Sequence, residues 1–151
     1  MTRCSRSSEL PVIIIDTREQ AEYSFDPQLA ATVRRALPAG DYSVAGLEGA
    51  VAVERKSLDD FISTVIHARP RFRNELSKLA GYRAACVVVE ANLLDILLGR
   101  YRGGAHPKAV LGSTLSILLD HGIPVYFCGT RPAACQFVQA YLLAAHARWK
   151  Q

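Results

Sequence analysis

Gly40-Asp41-Tyr42-Ser43-Val44 and, after a bend at residues 46–49, Val51-Ala52-Val53-Glu54-Arg55-Lys56-Ser57-Leu58-Asp59-Asp60 form the stretch that decides the fold. Two runs of β-formers around a glycine-bearing bend predict a hairpin, with strands over residues 42–44 and 51–56. Alternate side chains of a strand share a face, so Glu54 and Lys56 point one way and Arg55 the other. Asp41 opens the hairpin where Glu54 and Lys56 close it. Two carboxylates and an ammonium at one sheet edge make a poor core. They make a good seat for a hard cation such as Mg²⁺, which takes one or two carboxylates together with water and phosphate oxygens. Ser57 is a suitable N-cap for a helix to about residue 67, with Leu58, Phe61, Ile62 and Val65 on one face.

Upstream, Val12-Ile13-Ile14-Ile15 is a β-branched run that stops at Asp16 and predicts a strand buried on both faces. Residues 27–37 predict a short helix, with Asp26 as N-cap, Pro27 in the first position and an apolar stripe of Leu29, Ala30, Val33 and Leu37. Downstream, a second helix follows Pro70 over residues 71–79 and ends at Gly81. A strand over residues 85–90 is closed by Glu90, and Asn92 caps a helix to about Leu98. Residues 99–106 form a loop rich in Gly and Arg. Pro107 opens a helix that Gly122 ends, and a strand over residues 125–128 and a helix over residues 131–149 complete the chain. Strands alternating with helices imply an α/β fold, a mixed central sheet flanked by helices on both faces. Residues 1–10 are polar and read as a flexible leader, and residues 11–151 as a single domain.

Composition narrows the function classes. Half of the 151 residues are hydrophobic and 21% are charged, which excludes a disordered tail. The 18 Lys and Arg against 14 acids leave a formal charge of +4, a mild bias toward an anionic partner. The first ten residues lack the apolar centre of a signal peptide, and no apolar run approaches the ~20 residues needed to cross a bilayer. The expectation is a reduced, cytoplasmic protein, nucleoid-associated in a bacterium, with no membrane partner. Cys4, Cys86, Cys128 and Cys135 show no Cys-x-x-Cys spacing, which argues against structural zinc, and Cys86 reads as a small buried hydrophobe. Gly112-Ser113 and Asp120-His121 lack the Gly-x-Ser-x-Gly elbow, so a hydrolase triad is rejected.

Asp41 followed by Glu54-Arg55-Lys56 fits the acid and (Asp/Glu)-x-Lys pattern of the restriction-endonuclease-like superfamily. Gly40-Asp41-Tyr42, Glu54-Arg55-Lys56 and then Asp60 resemble more specifically the signature of the XPF-type structure-specific endonucleases. The flanks agree: Ile15-Asp16-Thr17-Arg18-Glu19 resembles the opening strand with its Asp-x-Arg-Glu, Val88-Val89-Glu90 the third strand, and Arg71-Phe72 the Arg-Phe after the motif. Pro70 stands where relatives often carry Gly. The likeness covers roughly residues 11–145 and is to the stand-alone bacterial or phage form, without helix–hairpin–helix modules or a helicase.

The resemblance implies a restriction-endonuclease-like fold and a Mg²⁺- or Mn²⁺-dependent endodeoxyribonuclease. Its substrate would be branched, flap or fork DNA with single-strand/double-strand junctions, in repair or recombination. Asp41 and Glu54 would hold the metal with the backbone carbonyl of Arg55, and Lys56 would orient the attacking water. Asp16 would be a further active-site or metal group. Asp60 would hold a water beside the metal or fix Lys56, against the plain alternative of a helix-N-terminal acid. Arg55, facing away from Glu54, would be structural or phosphate-facing. Arg69, Arg71 and Arg73, with Arg100, Arg102 and Lys108, are the expected DNA contacts, and Tyr101 a base-stacking candidate. Family members commonly dimerise, and Tyr141 and Trp149 of the last helix are expected to join two copies. A helicase or other repair factor is the implied partner. The competing readings are a catalytically inactive DNA-binding or dimerisation scaffold, and a restriction or mismatch-repair nickase of the same superfold.

Overall fold

A computed structural model describes residues 9–150. Residues 1–8, which hold most of the expected leader and Cys4, lie outside the described residues.

Six strands, β1 (Val12–Ile15), β2 (Ala31–Arg34), β3 (Tyr42–Val44), β4 (Val51–Ser57), β5 (Ala84–Glu90) and β6 (Val125–Phe127), form one sheet in the order β2-β1-β3-β4-β5-β6. Only β3 runs against its neighbours, because the tight β3–β4 connection allows only an antiparallel pair. The parallel β4–β5 and β5–β6 pairs are joined by helical crossovers. α1 (Leu58–His67) and α2 (Arg69–Ala80) make the first. α3 (Leu93–Leu97) and α4 (Pro107–His121) make the second, and α5 (Arg131–Trp149) closes the chain.

Strand alternation divides the core. Ile13, Ile15, Tyr42, Val44, Val51, Val53, Cys86 and Val88 face α5, meeting its Ala134, Val138 and Leu142. Ala52, Val87 and Val89 face the other layer, against Phe61, Ile62 and Val65 of α1, Phe72, Leu76 and Leu79 of α2, and Val110 and Ile117 of α4. The mixed sheet between two helical layers follows from this division, as does the burial of Cys86, which pushes its thiol up to about 12.

The expected helix over residues 27–37 is not formed. Residues 27–29 make a turn, in which Asp26 accepts the Gln28 amide through Oδ1 at 2.9 Å, and residues 31–34 add to β1 as a parallel edge strand. The amides of Ala31 and Arg35 donate to the carbonyls of Pro11 and Ile15, satisfying an edge of β1 that would otherwise be bare. Leu29 and Val33, half of the supposed apolar stripe, are 51% and 40% exposed. The backbone demand of a neighbouring strand outweighed a four-residue periodicity with nothing to pack against. α2 begins at Arg69, so Pro70 sits in its first turn, where a missing N–H costs nothing.

Candidate active site at the carboxyl edge of the sheet

The parallel strands end on the same edge, so Asp16 after β1 and Lys56 and Glu90 near the ends of β4 and β5 are carried there together. Asp41 joins them because antiparallel β3 starts where the others finish. Gly40 makes this approach possible. Its φ is +77°, and a Cβ there would stand 3.0 Å from the Ala52 Cβ and 3.2 Å from the Val53 carbonyl oxygen.

Asp41, Glu54 and Asp16 line one cleft of about 270 Å³, whose opposite wall is α2 with Arg71, Glu75 and Lys78. Arg18 completes the rim. Lys56 lies against Glu54, with Nζ 3.5 Å from Oε1, and over the Phe72 ring at 5.8 Å. Asp41 accepts the Arg55 amide through Oδ2 at 2.8 Å. Residue 55 turns its N–H and C=O to the same side of the strand as residue 53, the β3 side. There β3 has already begun at Tyr42, paired with Val53, and leaves the Arg55 carbonyl beyond the ladder.

Burial, with the Glu54–Asp41 repulsion next, raises the proton affinity of the Glu54 carboxyl well above the usual range. Nearby Lys56 only partly offsets this, and Glu75 adds to it. Burial likewise raises that of Asp41, against the Arg55 amide, and the Glu19 charge adds to the rise. A pair of hard oxygen donors with uncompensated negative charge fits a divalent cation. Among the described residues no three His, Cys, Asp or Glu side chains gather as a metal cluster. The site therefore offers a two-carboxylate seat. Asp16 lines the same cleft with both of its carboxylate oxygens hydrogen-bonded. Oδ2 takes the Arg18 Nε at 2.8 Å and the Arg18 amide at 3.1 Å, and Oδ1 the Leu37 amide at 2.8 Å. Burial pushes the Asp16 carboxyl up, but these hydrogen bonds outweigh it and hold the group below its ordinary value.

On the opposite face of β4, Arg55 is not open to a phosphate. Its Nε and Nη2 meet Glu19 at 2.8 and 2.9 Å, and its Nη1 meets Glu90 at 3.0 Å. The Tyr23 hydroxyl donates to Glu90 at 2.7 Å, and Arg131 of α5 reaches the same carboxylate at 3.3 Å. The structural alternative for Arg55 is the one the geometry favours. Asp60 is exposed in the first turn of α1, its amide donates to the Ser57 hydroxyl at 3.2 Å, and it makes no ion pair with Lys56. Among the other basic candidates, Arg71 alone joins the acid cleft. Arg69 and Arg73 lie on the α4 side of α2. Arg100 approaches Asp95 at 4.0 Å and Arg102 approaches Asp59 at 3.9 Å, while Lys108 is exposed on α4, all outside the cleft. Tyr101 is unavailable for stacking, since its ring packs on the core and its hydroxyl donates to the Ala105 carbonyl at 2.7 Å. Sequence reasoning does not find Glu75, Lys78, Tyr23 or Arg131, nor Glu90 as a partner of Arg55. Arg71, Glu75 and Lys78 recur at helical spacing, the one signal that places the second and third beside the first.

The sequence matches the ERCC4 domain over residues 15–141, most of the chain and the whole of this edge. The chain belongs to the ERCC4-domain family. It is 32% identical over 115 residues to a putative ATP-dependent RNA helicase of Methanocaldococcus jannaschii, covering 76% of this chain and 13% of that protein. The fold is that of XPF from Aeropyrum pernix, with a TM-score of 0.69, 23% identity, and coverage of 91% of this chain and 66% of the other. The same protein in complex with DNA gives a TM-score of 0.66 at 24% identity. The chain thus spans about two thirds of the XPF structure and about an eighth of the helicase. As an ERCC4 domain it carries the nuclease fold of a DNA endonuclease family, with Asp41 and Glu54 at the site where the sheet ends. Among the described residues no helix is long and apolar enough to cross a membrane.

Proposed function

We propose that this ERCC4 domain hydrolyses phosphodiester bonds of DNA with Mg²⁺ or Mn²⁺, at branched, flap or fork structures met in repair or recombination. The observation that carries the reading is the pair Asp41 and Glu54, set together in one cleft where the nearby Lys56 and the Arg55 amide only partly offset the burial and mutual repulsion of the two carboxylates. Burying two like charges is costly, and a divalent cation between them removes that cost. When bound, the cation supplies Lewis acidity and an acidified water. The protein's own groups supply the rest. The Arg55 carbonyl and the two carboxylates would hold the ion, Lys56 would orient the attacking water, and Arg71, Lys78 and Arg18 would bind the phosphate across the cleft. That an XPF of the same fold has been solved in complex with DNA supports DNA as the substrate.

The deciding assay incubates the protein with duplex, flap, fork and four-way-junction DNA in Mg²⁺, Mn²⁺ or EDTA. Cleavage only of branched substrates, and only with metal, is expected. Failure to cut any substrate would leave the inactive scaffold as the better reading, and equal cutting of plain duplex the nickase.

A homodimer is part of the proposal, and α4 offers a second surface for it beside the expected Tyr141 and Trp149. Trp149 is half-buried under the Arg83 guanidinium, 4.1 Å from its ring, and Tyr141 is half-buried beside Phe137. Exposed apolar side chains lie on α4, with Leu115, Leu118 and Leu119, as well as on and beside α3, with Leu93, Leu94, Leu97 and Leu98, and on edge strand β6, with Tyr126; the α4 leucines include the most exposed, Leu119. Light scattering at micromolar concentration should give twice the chain mass, and Leu119→Glu should return it to one. The likeness to a putative helicase supports a helicase or another repair factor as the partner.

A further inference from the structure

On the side of α2 away from the acid cleft, α2 and α4 enclose a groove of about 140 Å³. Its floor is apolar, formed by Val65, Phe72, Leu76 and Ile117, and all four are nearly inaccessible. Its rim is polar, with Arg69 and Arg73 one helical turn apart on α2 and Ser113, Ser116 and Asp120 along α4. The Arg69 Nε is tethered to the Val65 carbonyl at 3.1 Å, which holds the guanidinium at the groove and leaves its two amino groups free to donate. Among the described residues, Arg69, Arg71, Arg73, Arg83 and Arg148 have no carboxylate within ion-pairing distance, and the first three cluster at the start of α2. Arg18, Arg34, Arg35, Arg55, Arg100, Arg102 and Arg131 each have one. Two unpaired guanidiniums over an apolar slot suit a ligand that is anionic at one end and flat and apolar over most of its surface. The hydroxyls and the Asp120 carboxylate are polar partners for the edge of a ring.

From this arrangement we propose that the groove takes one unpaired nucleotide of a branched DNA. The base lies on the apolar floor, its edge on Ser113, Ser116 and Asp120, and its phosphate on Arg69 and Arg73. The slot has room for a single base and not for a duplex. α2 therefore separates two tasks, with Arg71, Glu75 and Lys78 facing the scissile phosphate and Arg69 and Arg73 facing a strand that has left the helix. The proposal rests on the DNA reading above.

The test measures binding in Ca²⁺, where affinity is read without turnover, using a fork with unpaired arms and a plain duplex of equal length. Ser116→Trp fills the groove from an exposed rim position, and Arg69→Ala/Arg73→Ala removes the anion donors. Each should lower the fork-to-duplex affinity ratio about tenfold, and Ser116→Trp should leave duplex affinity unchanged. 2-Aminopurine in the unpaired arm should brighten on binding the wild-type protein, as it leaves its stacked neighbours for the largely aliphatic floor, and not on binding Ser116→Trp. An unchanged ratio with folded variants would overturn the groove while leaving the endonuclease reading intact. Ser116→Trp that altered the molar mass and not the ratio would assign the groove to a second copy and equally overturn it. Loss of the ratio in a protein that cuts nothing would uphold the groove and sink the endonuclease.

Discussion

Asp41 illustrates how a single side chain can be both a liability and a site. Its carboxyl is buried, carries a raised proton affinity, and stands beside Glu54, whose proton affinity is raised as well. For an acid, a folded value above the unfolded one means the folded state binds more protons. Stability from this pair therefore falls as pH rises above the ordinary Glu value of 4.5. In EDTA, Asp41→Asn should unfold at higher urea than wild type at alkaline pH, the advantage vanishing in acid, and Mg²⁺ should stabilise only the wild type. An Asp41→Asn protein no more stable than wild type at high pH would show that the pair carries no such burden. The same variant should lose Mg²⁺-supported cleavage by orders of magnitude while binding DNA in EDTA at least as well, since a carboxylate facing phosphate repels it. Gly40→Ala, at φ +77° and against Ala52, should cost about 1–3 kcal/mol in urea denaturation, and a silent substitution would contradict the close approach.

At the scale of elements, β4 is held in place by what lies on its other face. Arg55 is 11% exposed and Glu19 4% exposed, and the guanidinium ties β4 to the segment after β1, to β5 through Glu90, and through Glu90 to Arg131 of α5. Removing the cation leaves the buried Glu19 carboxylate without a counter-ion, while Glu90 keeps the Tyr23 hydroxyl and Arg131. Arg55→Ala should therefore cost about 3–5 kcal/mol, read as a shift in the unfolding midpoint at constant slope. A loss comparable with that of an exposed ion pair would mean the network is weak. Because the Arg55 amide orients Asp41, metal affinity in any variant that still folds should drop with stability. At the same scale, the Ser57 cap and its helix could be read from sequence. β2 could not, because Leu29, Ala30, Val33 and Leu37 satisfy a helical period and only the unpaired edge of β1 turns that segment into a strand.

Across the whole molecule, charge is distributed by pairing. Among the described residues seven arginines pair with a carboxylate, and of those that do not, Arg69, Arg71 and Arg73 cluster in the first α2 turns, so the DNA path should run over α2 and between its two hollows. Arg71→Glu should weaken DNA binding, and the slope of log K against log salt should fall by about one for each phosphate the protein no longer neutralises. If the slope is unchanged in Arg71→Glu and altered in Arg102→Glu, the path runs over residues 99–106 instead. The sequence by itself determined the chemistry-bearing pattern, since a two-residue strand period and a glycine before Asp41 put Asp41, Glu54 and Lys56 on one edge whatever surrounds them. Tertiary structure alone decided which charges remain available. Asp16, Arg55 and Asp60 stand beside Asp41 as secondary candidates in one dimension; in the fold the first two make internal ion pairs and the third projects to solvent. The physical reason is that a side chain's free valence depends on neighbours brought in from distant segments, and local periodicity carries no record of them.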